Sequence, residues 1–138
     1  MKLLFLCVAN SARSQMAEGL ARTYAPAGTQ VFSAGSEPTR VRPQAVAVLR
    51  EIGLDIQAQH PKGIKDVHVD GMDLVITLCA DEVCPMLPGT TRHLHWPLPD
   101  PTGAGENAEE ELQAFRDARD AIKQRLDTLF ADWNGVDR

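Results

Sequence analysis

Positive charge is in short supply in this sequence. Lys and Arg total 14 against 19 Asp and Glu, giving a net charge of −5 and a pI near 5.3. That balance excludes a nucleic-acid binder working through a basic surface. Any site for an anion has to be built locally, against an unhelpful overall field. Long apolar runs are also missing. The run from Leu3 to Ala9 holds seven residues before Asn10, Ser11 and Arg13 interrupt it. This is the bottom of the range for an export segment and far below the roughly 20 residues of a membrane span. Bulky Leu6 stands where a lipoprotein signal would put a small residue before Cys7. No repeat, linker or low-complexity tract breaks the chain. A single domain over residues 1–138 is expected, cytoplasmic, monomeric and without membrane or nucleic-acid partners. Cysteine is sparse at three, an odd number that argues against a disulfide framework. In a reducing compartment such thiols serve redox chemistry, metal binding or packing.

What is present suffices for a core: 138 residues, 43% apolar and 24% charged, need no covalent staples. Leu3 to Val8 is continuously apolar, the pattern of a parallel strand buried on both faces. A polar turn follows, then a helical pattern from Arg13 to about Tyr24. Val31-Phe32-Ser33 reads as a second strand closed by Ala34-Gly35. Pro43 suits the first turn of a helix whose apolar face is Ala45, Val48, Leu49 and Ile52, with Gly53 as its stop. Asp73 to Leu78 reads as a third strand, and His93 to Trp96 as a short fourth ended by Pro97. The last helix is placed over about Glu106 to Trp133, with Leu112, Phe115, Ile122, Leu126, Leu129 and Trp133 on its buried face. Strands alternating with helices predict an α/β three-layer sandwich around a parallel sheet.

Between the first strand and the first helix lies Cys7-Val8-Ala9-Asn10-Ser11-Ala12-Arg13-Ser14. A loop wrapped at a helix N-terminus turns backbone N–H groups inward, and the helix dipole adds positive potential. Five residues separate Cys7 from Arg13, enough to close a ring with sulfur at its base and a guanidinium fork over a tetrahedral oxyanion. The same positive surroundings favour the nucleophilic thiolate. Ser14 can donate to that sulfur, and Asn10 can pin the loop.

Read on through Gln15-Met16-Ala17-Glu18, and with Ser33-Ala34-Gly35 after the second strand, this stretch resembles the start of the low-molecular-weight tyrosine phosphatases. It equally resembles the thioredoxin-coupled arsenate reductases built on the same fold. The resemblance runs from the first strand into the last helix. It implies a low-molecular-weight phosphatase-like fold, a four-stranded parallel sheet in the order 2-1-3-4 flanked by helices.

Other residues separate the two activities. Cys79 and Cys84 fall just beyond the third strand, at the carboxyl edge where open parallel sheets bind ligands. A phosphatase needs one nucleophilic Cys and water, whereas a reductase needs thiols that supply two electrons. A zinc site drawn from Cys79, Cys84, His93 and His95 is set aside, because the two histidines are expected on opposite strand faces, and no metal is called for. Asp100, held stiffly between Pro99 and Pro101, is by the resemblance the general acid that protonates the leaving oxygen. Thr102 and Gly103 follow where the tyrosine phosphatases usually carry aromatic residues, which favours a small bare oxyanion as substrate.

Some of these reductases bind a potassium ion beside the loop. Glu18 and Ser33 match that site, with Asn10 a further candidate beside them, but His60-Pro61-Lys62-Gly63 lacks its Thr and Asp, so the place falls to an ion or to the Lys62 ammonium, the other reading of Lys62 being an exposed surface charge. The sequence is thus read as an arsenate reductase without a tightly bound cofactor, using thioredoxin as electron donor, with phosphate or sulfate as competing oxyanions. The alternative is a phosphatase of phosphotyrosine or small phosphate esters using Cys7. On a helix, Cys79 and Cys84 would be about 7.5 Å apart along the axis, against the roughly 4.4–6.8 Å that a disulfide spans between Cα atoms. Segment 80–92 is therefore expected to unwind when they pair.

Overall fold

Four consecutive apolar residues, Leu3, Leu4, Phe5 and Leu6, show no exposed surface. Each contributes about 1.5–3 kcal/mol when fully buried, and a strand apolar on both sides can satisfy that only in the middle of a covered sheet. Accordingly β1 (Lys2–Cys7) lies inside a sheet of order β2-β1-β3-β4, with β2 at Gln30–Gly35, β3 at Leu74–Thr77 and β4 at Arg92–His95. All three pairings are parallel. The computed structural model describes residues 1–80 and 92–132.

Leu3, Phe5, Leu74 and Ile76 face one core, which they share with α1 (Arg13–Tyr24), α2 (Pro43–Arg50) and α3 (Ala108–Ala131). Met16 and Leu20 of α1, Val48 and Leu49 of α2, and Phe115, Ile122 and Leu126 of α3 fill it. Leu4 and Leu6 face the other way, onto Ala34, Met72 and Val75. Two short 3-10 turns, Ile64–Asp66 and Val69–Gly71, bring Ile64, Val67 and Val69 against that second core. Among the described residues no helix is long and apolar enough to cross a membrane.

The α/β architecture and strand order are those expected, and three details differ. Ile52 is 38% exposed rather than on the buried face of α2, because that helix stops at Arg50 and the chain turns out through Gly53 at φ 84°. The last helix starts later than expected, at Ala108. Asn107 stays extended and its side chain accepts from the Glu110 N–H at 2.9 Å, a side-chain cap. His93 and His95 do not lie on opposite faces. Strand side chains alternate, so residues two apart share a face, and both rings reach the hydroxyl of Thr77. The ground on which a histidine site was set aside is therefore wrong. Trp133, Cys84 and the expected unwinding of segment 80–92 lie outside the described residues.

Candidate active site

The order β2-β1-β3-β4 fixes where a site forms. After β1 the chain moves out to β2, then returns past β1 to β3, so the carboxyl ends of β1 and β3 flank the point where the winding reverses. Cys7 closes β1, and Cys79 lies two residues beyond Thr77, the end of β3. Leu6 pairs with Thr77, and Leu78 N–H donates to Leu6 O at 2.9 Å, so both cysteines stand at one sheet edge. Each is buried. Cys7 is a free thiol, while Cys79 is disulfide-bonded.

Residues 8–12 form a loop whose carbonyls are turned outward. Val8 O accepts from Glu37 N–H at 2.9 Å, Ala9 O from Thr39 N–H at 3.0 Å and Ser11 O from Arg42 N–H at 2.9 Å. Asn10 O accepts from Gln15 Nε2 at 3.0 Å. With four successive carbonyls engaged outside, the loop's N–H groups are left to face the interior of the ring. The start of α1 has no side-chain cap and no acidic residue in its first turn, so its positive end stays available to an anion. Gly35 permits the close approach: a Cβ there would lie 2.4 Å from Val8 O and 2.9 Å from Asn10 N.

Asn10 holds the loop's shape. Its φ is 49°, in the left-handed region that Asn tolerates better than most residues. Its side chain is fully buried. Nδ2 donates to Ser14 Oγ at 2.7 Å and to Ser33 Oγ at 3.0 Å. Oδ1 accepts from Gln15 Nε2 at 3.0 Å and from Lys62 N–H at 2.8 Å. Two donors and two lone pairs are thus all used. Ser14 Oγ, already accepting from Asn10, lies 2.9 Å from Cys7 Sγ, and its proton is the one to stabilise a thiolate there.

Arg13 is 4% exposed. Its Nη1 donates to Leu98 O at 2.9 Å and to Leu78 O at 3.4 Å, and Nη2 lies 3.8 Å from Asp100 Oδ2. The guanidinium therefore joins the loop to the chain beyond β3 and β4 while facing the acid. Asp100 Oδ1 accepts from Thr102 N–H at 3.0 Å, which orients a carboxylate whose side chain is 47% exposed. Cys7, Arg13, Asp100 and the loop enclose a cavity of about 170 Å³. A water takes about 30 Å³ in the liquid, so the space has room for a tetrahedral oxyanion.

Behind the loop, Ser33 Oγ donates to Glu18 Oε1 at 2.5 Å. Glu18 is buried, and a buried carboxylate needs paired charge. Arg22 Nη2 at 3.0 Å and Lys62 Nζ at 3.4 Å supply it. Lys62 Nζ also donates to His60 O at 2.7 Å, so this ammonium is seated on the buried carboxylate rather than spread on the surface.

The sequence reading assigned no part to Gln59, which donates to Gln15 O at 3.0 Å and to Gln15 Oε1 at 2.8 Å and so fixes the amide that holds Asn10. It also missed the strap of residues 37–42. That strap acts through main-chain N–H groups, which leave no side-chain signature; Gln59 is one polar residue in a polar stretch.

The profile of the family described as low molecular weight phosphotyrosine protein phosphatase matches residues 2–136. An arsenate reductase of Halalkalibacterium halodurans is 42% identical over 129 residues, covering 92% of this chain and 93% of that one. A glutaredoxin arsenate reductase of Synechocystis is 38% identical over 132 residues, covering 94% and 96%. Among solved structures, an arsenate reductase in the phosphate binding state superimposes with a TM-score of 0.83 at 38% identity, covering 95% and 97%. The thioredoxin-dependent arsenate reductase of Corynebacterium glutamicum does so with a TM-score of 0.73 at 33% identity, covering 99% of this chain and 61% of that one.

Proposed function

Because the chain belongs to the low molecular weight phosphotyrosine protein phosphatase family, we propose from its thiols and its relatives that it is an arsenate reductase, converting arsenate to arsenite with thioredoxin as the final reductant. The observation that carries this reading is the disulfide at Cys79 beside a free Cys7 on the same sheet edge. Ester hydrolysis calls for one nucleophilic Cys and water, and in a phosphatase the other thiols would serve only to protect Cys7 from oxidation.

Arsenate enters the cavity between Arg13 and the loop N–H groups. The Cys7 thiolate forms an S–As bond as an As–O bond breaks, and Asp100 protonates the departing oxygen, which leaves as water. The Cys79 thiolate then attacks Cys7 Sγ. The S–As bond breaks with its electron pair staying on arsenic, so As(V) becomes As(III) and arsenite departs as the Cys7–Cys79 disulfide forms. Cys84 attacks Cys79, which returns Cys7 to its thiolate and leaves a Cys79–Cys84 disulfide. A thioredoxin dithiol reduces that bond and restores the cycle. Phosphate and sulfate, similar in shape and charge to arsenate, compete for the cradle. The Lys62 ammonium fills the cation position beside Glu18, which its contacts with Glu18 and His60 O support.

Arsenate turnover with the thioredoxin system, run beside hydrolysis of an aryl phosphate, tests this. Cys7→Ser should abolish both activities. Cys84→Ser should stop multiple turnover of arsenate while leaving aryl-phosphate cleavage intact. Unchanged arsenate turnover in Cys84→Ser would sink the relay, and robust ester hydrolysis without arsenate reduction would favour the phosphatase.

A further inference from the structure

On the outer strand of the sheet, among residues that do not line the oxyanion cavity, two exposed imidazoles converge on one buried atom. β4 is the outer strand, and His93 and His95 are both exposed on it. His95 Nδ1 lies 2.7 Å and His93 Nε2 3.2 Å from Thr77 Oγ1, on the neighbouring strand. Thr77 is 2% exposed. A hydroxyl has one proton to give, and Leu94 O at 3.4 Å is a further acceptor for it, so it can donate to at most one of the two rings. Nothing in the proposed chemistry uses either histidine.

We infer that His93 and His95 bind a divalent transition-metal ion of the imidazole-seeking class, Zn²⁺ or Cu²⁺. Neutral imidazole is a favoured ligand for both. Two ring nitrogens that each reach the same oxygen are close enough for small rotations of the exposed rings to bring both to about 2.0–2.1 Å from a single ion. Among the described residues no three His, Cys, Asp or Glu groups gather to hold a metal. The pair therefore supplies two ligands, water completes the shell, and the Thr77 hydroxyl is the polar group at hand to orient it.

The placement has a consequence that rests on the arsenate reductase reading. Thr77 ends β3 two residues before Cys79, and His95, its register partner, ends β4 at the same sheet edge. An ion held by the end of β4 beside Thr77 braces the end of β3 from which Cys79 departs, and should slow exchange at Cys79.

Zn²⁺ titrated against a chromophoric chelator into Cys7→Ser protein, oxidised until no free thiol remains, reads the site without thiol ligands and without turnover. One ion per chain is expected. His93→Ala and His95→Ala should each weaken binding at least about tenfold, since disturbing even an outer partner of a metal ligand costs about 10–100-fold. His60→Ala combined with His68→Ala should change nothing. No saturable binding, binding that survives both single variants, or binding lost with His60 and His68 would each overturn the site. In a separate assay, Zn²⁺ should slow thioredoxin-coupled arsenate turnover more in the parent than in His95→Ala. Equal slowing would overturn the link to Cys79, and no arsenate turnover even without Zn²⁺ would count against the proposed function, with the titration still deciding the site.

Discussion

Asn10 carries more of the site than its size suggests. One amide satisfies two donors and two acceptors drawn from α1, β2 and the chain around Lys62, and it does so from a backbone conformation that Ala resists. Asn10→Ala removes those bonds together; Ser33 Oγ keeps its bond to Glu18 but loses a donor, and the Lys62 N–H loses its partner in a part-buried place. Each buried group left unsatisfied costs about 1–3 kcal/mol. Asn10→Ala is expected to lower the unfolding free energy by about that amount or more in urea titrations and to slow iodoacetamide alkylation of Cys7 by about tenfold, the equivalent of one such bond. Asn10→Gly, which relieves the backbone but not the bonds, should be nearly as slow. Full recovery in the glycine variant would assign the effect to backbone strain instead.

Among the elements, α2 and α3 are tied by charge as well as by their apolar faces. Glu51 Oε2 lies 2.9 Å from Arg116 Nη2, Glu51 Oε1 lies 2.9 Å from Arg119 Nη1, and Arg119 Nη1 also donates to Val48 O at 2.8 Å. The Arg116 hydrogen bonds hold the Glu51 carboxyl below its usual 4.5, outweighing the cost of burial, and Arg119 adds to the lowering. A carboxyl depressed in the folded state stabilises fully above its unfolded value, and that contribution is lost as pH falls through the folded one. The gap in Tm between the parent and Glu51→Gln should therefore be steady near neutrality and close on acidification below the ordinary carboxyl range. A gap that widens with acid would contradict the pairing. The sequence disclosed α1 to the residue, because Arg13 to Tyr24 is one helical pattern set off by a polar turn, and it disclosed β1 and β3 through short apolar runs. It did not disclose the stop of α2 before Ile52, where the choice between one more helical turn and an exit at Gly53 depends on what α3 brings alongside. Cys7, Arg13 and Asp100 could be brought to one place from their positions after β1 and β4. The support from Gln59, and from the amides of Glu37, Thr39 and Arg42, depends on how distant segments meet, and local pattern does not encode that.

At the scale of the whole molecule, Arg13 is a junction. It lines the oxyanion cavity and bonds the carbonyls of Leu78 and Leu98, so occupancy of the cavity and cohesion of three strand ends share one side chain. A ligand that binds only the folded state stabilises it by RT ln(1 + [L]/Kd), about 2.7 kcal/mol at 100 times Kd. Phosphate at such a concentration should raise the Tm of the parent by several degrees. Arg13→Ala should lose most of that rise and also melt lower without phosphate. An equal rise in the variant would place phosphate away from the cradle. The strap behind the loop leads elsewhere. Glu37 and Thr39 serve it through their amide nitrogens while their side chains are exposed, so nineteen of the twenty amino acids can do the work at either position, and proline alone cannot. Selection there acts by exclusion, and descendants of this chain can drift freely at both positions while the trace of the constraint in their sequences is an amino acid that never arrives.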